Sequence, residues 1–142
     1  MIGTAALSAQ SANANAHKCA SGGQGNQTAV YMCVYVESSG RNVSRVSVDG
    51  KRYAPAGDGP IAYRLRMFNS ANQLVRTWPR AGWASYKPKN RLNLCTSYTP
   101  MGPYYSDWAT PCHNWPANWS MDLQINVSGP GNLVDSPNIV MK

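Results

Sequence analysis

Apolar residues recur at every second position through most of this chain, and almost nowhere at helical spacing. In "TAVYMCVYV" (residues 28–36) Val30, Met32, Val34 and Val36 fall on one side, with Tyr31, Cys33 and Tyr35 on the other. That is the period of a strand with one buried face. "NVSRVSV" (42–48) repeats the pattern more weakly after the turn Ser38-Ser39-Gly40. "IAYRLRMF" (61–68) places Ile61, Tyr63, Leu65 and Met67 inward and Arg64 and Arg66 outward, and "NSAN" (69–72) turns it back into "QLVRTW" as a hairpin.

"RLNLCTSY" (91–98) and "WSMDLQINV" (119–127) also alternate, and "NIVMK" closes the chain. In the former of these two a strand is expected throughout. In the latter Trp119, Met121, Leu123, Ile125 and Val127 are expected to face in, and Asp122, Gln124 and Asn126 out. Ten prolines interrupt most helical candidates. Six or seven short strands separated by turn residues predict an all-β fold, an antiparallel β-sandwich that is Ig-like in outline. No internal repeat is visible. Two connections, 79–90 and 96–118, are long for a compact domain, and such loops usually carry function or move.

A length of 142 residues suits one domain with a modest core. Charged residues make up only 13% of the chain, yet thirteen are basic and six acidic, for a net charge of +7. Gly, Pro, Asn, Ser, Tyr and Trp take the place of charge on the surface, as in many secreted proteins. The excess favours acidic partners. The basic residues are scattered rather than clustered, which points away from nucleic acid. No apolar run is long enough to cross a membrane as a helix.

Four cysteines, Cys19, Cys33, Cys95 and Cys112, predict two disulfides in an oxidising compartment. Of three possible pairings, Cys19–Cys33 with Cys95–Cys112 is favoured because each closes a short loop, worth about 3 kcal/mol by the chain-entropy account; the sequence alone does not settle the connectivity. Upstream, "ALSAQSANANAHKCA" (6–20) has small residues at Ala12, Ala14 and Ala16, the spacing that signal peptidase reads. Residues 1–16 are therefore expected to be the remnant of an export signal or the start of an arm. Residues 17–27, ending in "CASGGQGNQ", are expected to be a flexible arm, and 28–142 the single sandwich domain.

Candidate chemistry is sparse. The six carboxylates, Glu37, Asp49, Asp58, Asp107, Asp122 and Asp135, form no close pair along the chain, and Asp49-Gly50 and Asp58-Gly59 are turn chemistry first. His17 and His113 are the only imidazoles. "HKC" and "CH" suggest a zinc site, but disulfides account for the same cysteines. Glu37, His113 and Arg64 or Arg66 are the residue types a small basic ribonuclease uses for acid–base and phosphate work. No catalytic residue, metal or cofactor is expected on this pattern. Four Asn-x-Ser/Thr sequons begin at Asn26, Asn42, Asn118 and Asn126.

Aromatic residues say more. Five Trp and eight Tyr stand against one Phe, and rings with a polar handle tolerate half-exposed recognition surfaces. Trp78 and Trp119 sit at strand positions and are expected in the core. "CTSYTPMGPYYSDWATPC" (95–112) instead sets Tyr98, Met101, Tyr104, Tyr105 and Trp108 among prolines and glycines between two cysteines. Bridged at its ends, it is an aromatic loop with a low ordering cost on binding, or a lid over one end of the core.

The Ala-rich start, "VYMCVYVESSGRNVSRVSV", "AYRLRMFNSANQLVRTWP" and the late cysteine pair resemble small exported actinobacterial β-sandwich proteins. Among these the chain looks most like the adaptor subunit of the umbrella toxin particles that Streptomyces secretes, over about residues 19–142. The resemblance implies two partners, an alanine-rich helical-repeat toxin subunit and a lectin subunit with a degenerate trypsin-like domain. It implies that the N-terminal extension threads into the first and the globular domain engages the cleft of the second.

On that basis the expected contacts are Ala20, Ser21, Gly22 and Gly23 in the arm, with Tyr98, Met101, Tyr104, Tyr105 and Trp108 in the loop. The expected function is a secreted, non-catalytic adaptor within an extracellular toxin assembly, with no nucleic-acid or membrane partner. A braced loop in a protease cleft and rings stacked on sugars use the same physics, so a protease inhibitor and a carbohydrate-binding module are the alternatives.

Overall fold

The computed structural model describes residues 15–23, 29–52, 60–88, 90–97, 110–127 and 133–142. They form β1 (Asn15–Gly23), β2 (Ala29–Ser39), β3 (Asn42–Arg52), β4 (Ile61–Phe68), β5 (Leu74–Trp78), β6 (Ala84–Tyr86) and β7 (Leu92–Asn93). A helical turn α1 (Leu94–Ser97) precedes β8 (Ser120–Asn126), β9 (Leu133–Asp135) and β10 (Ile139–Val140). Every strand pair is antiparallel.

One sheet runs β1-β2-β3-β7. In the other, β8 and β4 are central, with β9 and β10 beside β8 and β5 and β6 beside β4. The chain is an all-β antiparallel sandwich with both expected disulfides, Cys19–Cys33 and Cys95–Cys112.

The alternating residues make the core. Val30, Met32, Val34 and Val36 from β2, with Val46 and Val48 from β3, pack with Ile61, Tyr63, Leu65 and Met67 from β4 and Met121, Leu123 and Ile125 from β8. Short turns fix the registers. Gly40, with φ at 61°, closes the β2–β3 hairpin in the left-handed region that glycine tolerates. In the β4–β5 turn the Asn69 side chain accepts from the amides of Ala71 and Gln73, and Asn72 takes the left-handed conformation.

Four expectations are corrected. The strand expected over 91–98 stops after Asn93, whose side-chain oxygen accepts the Cys95 amide at 3.0 Å and starts a helical turn that buries Leu94. Asp122 and Gln124, expected to face solvent, are buried, because arginines and β9 cover the outer face of their sheet. Trp119 lies just before β8 and is only half-buried, while Trp115, not assigned to the core, is fully buried.

The fourth concerns the arm. Residues 15–23, mostly expected to be flexible, are strand β1, paired with β2 at nine positions. Pairing with β2, burial of Ala20 and the disulfide between directly opposed residues of the two strands together hold it in place. The rest of the expected arm, 24–27, lies outside the described residues.

Candidate interaction surfaces

β1 is an edge strand. Its inner-facing positions alternate Ala16, Lys18, Ala20 and Gly22, opposite Val36, Val34, Met32 and Val30. Ala20 is 1% exposed and belongs to the core. A Cβ on Gly22 would sit 3.0 Å from Val134 and 3.1 Å from Val127, so the small side chains let the second sheet approach closely. Packing thus already uses Ala20 and Gly22. Ser21, on the other face opposite Tyr31, is exposed, and Gly23 ends the strand opposite Ala29. Among the described residues, the edge of β1 turned away from β2 has no partner strand.

The outer face of this sheet gathers a cluster around Tyr35 that the sequence did not reveal. His17 stacks on its ring at 4.6 Å with the planes 5° apart, and the Arg91 guanidinium carbon lies 3.8 Å from the ring centroid. The Tyr35 hydroxyl donates to Asp49 at 3.0 Å. Arg91 reaches the other Asp49 oxygen from Nε at 3.3 Å and Nη2 at 3.2 Å. Burial, then the bond to Asp49, pushes the Tyr35 hydroxyl above its ordinary range. The Cys19–Cys33 bridge lies next to this cluster, with His17 Nε2 3.3 Å from Cys19 Sγ. Period-two spacing puts residues 17 and 19, and 33 and 35, on shared faces, but only the β1–β2 register brings the pairs together.

Tyr98, Met101, Tyr104, Tyr105 and Trp108 lie outside the described residues, but the two ends of their loop are described. Cys95 follows β7 at the sheet edge opposite β1. Beyond Cys112 the chain pairs with the start of β3 on that same side: the Val43 amide donates to His113 O at 3.0 Å, and the Trp115 amide to Arg41 O at 3.1 Å. Trp115 Nε1 donates to Pro111 O at 2.9 Å, and its ring meets Trp78, His113 and Trp119. Both ends of the loop are therefore anchored about three strand spacings, roughly 14 Å, from β1.

The second sheet carries a polar ladder on its outer face. Arg66 grips Asp122 at two points, 2.8 and 2.6 Å, and reaches Asp135 at 3.1 Å. Arg64 donates to Gln124 at 2.7 Å, and Gln124 donates to Asp135 at 2.8 Å. The two arginines lie over Trp83 and Phe68. The fold thus brings together two carboxylates that are distant in sequence, and both are held by one guanidinium. The residues considered for a ribonuclease do not converge: Glu37 lies on the outer face of the first sheet and Arg64 and Arg66 on that of the second, while His113 packs on Trp115.

Among the described residues no helix is long and apolar enough to cross a membrane. No family model, curated protein or solved structure matches this chain.

Proposed function

We propose that this protein is a secreted, non-catalytic adaptor that holds two protein partners at once, one along the β1 edge and one on the loop between Cys95 and Cys112. The observation that supports this reading is that β1 and the two anchored ends of that loop lie at opposite edges of one sheet. An open strand edge offers backbone hydrogen bonds to an extended segment, and a loop with bridged ends loses little entropy on docking. Two disulfides fit an extracellular setting. By resemblance, the partners are an alanine-rich repeat toxin subunit and a lectin subunit with a trypsin-like domain.

The test is the composition of complexes isolated with the tagged full chain and its variants. Replacing Tyr104, Tyr105 and Trp108 together by Ala should release one partner and keep the other. Lys18→Pro and Ser21→Pro lie at positions of opposite parity on β1, so one of them removes an amide on the open edge. That variant should release the other partner, with the strand signal in circular dichroism retained. If either change weakens both partners equally, or if no partner co-purifies, the reading is wrong.

A further inference from the structure

We propose that the Cys19–Cys33 bridge, once opened by a dithiol reductant, becomes with His17 a three-ligand site for a zinc-type divalent ion. The ligand atoms of these three residues already lie within 4.8 Å of one another. Cys19 and Cys33 are directly opposed on β1 and β2 with Cα atoms 4.0 Å apart, so both sulfurs stay on one face after the bond opens. His17, two residues before Cys19, shares that face, and its Nε2 lies 3.3 Å from Cys19 Sγ. Stacking on Tyr35 sets the plane of the imidazole.

A tetrahedral zinc ion with sulfur at about 2.3 Å and nitrogen at about 2.0 Å needs its ligand atoms roughly 3.5 to 3.8 Å apart. Small side-chain rotations reach that spacing from the present one. Two thiolates and an imidazole are the donor set that zinc prefers over magnesium or calcium. Among the described residues no other His, Cys, Asp or Glu joins the group. Asp49, opposite Cys33 on β3, is engaged by Tyr35 and Arg91. The fourth position is left to water or an outside ligand.

Opening the bridge balances as ordinary exchange. One thiolate of the dithiol bonds to the exposed Cys19 sulfur, and buried Cys33 leaves as a thiolate. The second thiolate of the dithiol then attacks the first, closes the reductant into its own disulfide and releases Cys19. Two electrons pass to the protein, and metal binding expels the thiol protons. The ion would then do the work of the bridge, clipping β1 to β2 in reducing surroundings. The other bridge lacks this arrangement: His113, next to Cys112, packs edge-on to Trp115.

The test titrates cobalt and then zinc into the full chain, oxidised and after phosphine reduction. The readouts are thiolate-to-cobalt absorption and zinc stoichiometry by native mass spectrometry. The expected result is one ion per reduced chain and none per oxidised chain, with binding retained in the Cys95→Ser/Cys112→Ser double variant. Cys33→Ser should abolish binding, and His17→Ala should weaken it at least tenfold. Loss of binding in the Cys95→Ser/Cys112→Ser variant, or its persistence in Cys33→Ser, would overturn the proposal. So would a reduced chain whose strand signal in circular dichroism collapses and is not restored by zinc.

Discussion

Arg66 holds Asp122 through two parallel contacts, Nε to Oδ1 at 2.8 Å and Nη2 to Oδ2 at 2.6 Å, on the outer face of a sheet where Asp122 is only 2% exposed. The two residues sit directly opposite each other on β4 and β8. A cross-strand ion pair therefore ties the two central strands of this sheet together from outside, while Leu65 and Leu123 pair inside.

Removing the arginine leaves a buried carboxylate without its guanidinium. Arg66→Ala should destabilise the fold by about 3 kcal/mol at neutral pH, the low end for a broken buried pair, since Arg66 is itself partly exposed. Urea unfolding at pH 7 measures it, and a loss below about 1 kcal/mol would show that the pair contributes little.

Burial pushes the Asp122 carboxyl above its ordinary value of 3.8, outweighing the hydrogen bonds and charge of Arg66; the nearby Asp135 adds to the rise. The folded chain then holds this proton more tightly than the unfolded chain does. Its contribution favours folding below pH 3.8 and is lost as pH rises through the higher folded value. Asp122→Asn lacks that dependence, so the wild type should lose stability relative to it as pH is raised from below 3.8 toward neutrality. Unfolding midpoints of both proteins across that range decide the matter, and a constant difference would contradict the shift.

Gly50 lies opposite Met32, where a side chain has no room. A Cβ there would collide with the carbonyl oxygen of Tyr31 and lie 2.9 Å from the Met32 Cα, both backbone atoms of the neighbouring strand. Gly50→Ala should cost about 1–3 kcal/mol as β2 and β3 are forced apart. Thermal unfolding reads this directly, and an unchanged midpoint would mean that the strands yield freely.

Lys18 points the same way as Val34 beneath it, yet it is exposed, an inward-facing charge in the middle of the open edge strand. Such a lysine disfavours pairing of one edge with another copy's edge. Lys18→Ile should raise self-association, seen in sedimentation velocity as a concentration-dependent shift to larger species relative to the wild type. Identical sedimentation of the two proteins would remove this role from Lys18.

Alternation along the chain was enough to locate β2, β4 and β8 and to name their inward residues, because a period of two is a local property that the backbone pleat imposes. The even cysteine count and the short separations led to the bridges that are present. What alternation cannot carry is what lies on the far side of a strand. Asp122 looks solvent-facing by period, and becomes buried only because Arg66 and Asp135 arrive from other strands. β1 looked like a free arm because Asn, Ala and Gly give it no apolar stripe; its order comes from β2 and a cross-strand bridge. The cluster of His17, Tyr35, Asp49 and Arg91 draws on β1, β2, β3 and the residue just before β7. The identity of β2, β4 and β8 was thus fixed by neighbours in sequence, whereas β1, the sheet order, the register and the surfaces they assemble were decided by contacts between distant residues, which leave no period in the chain.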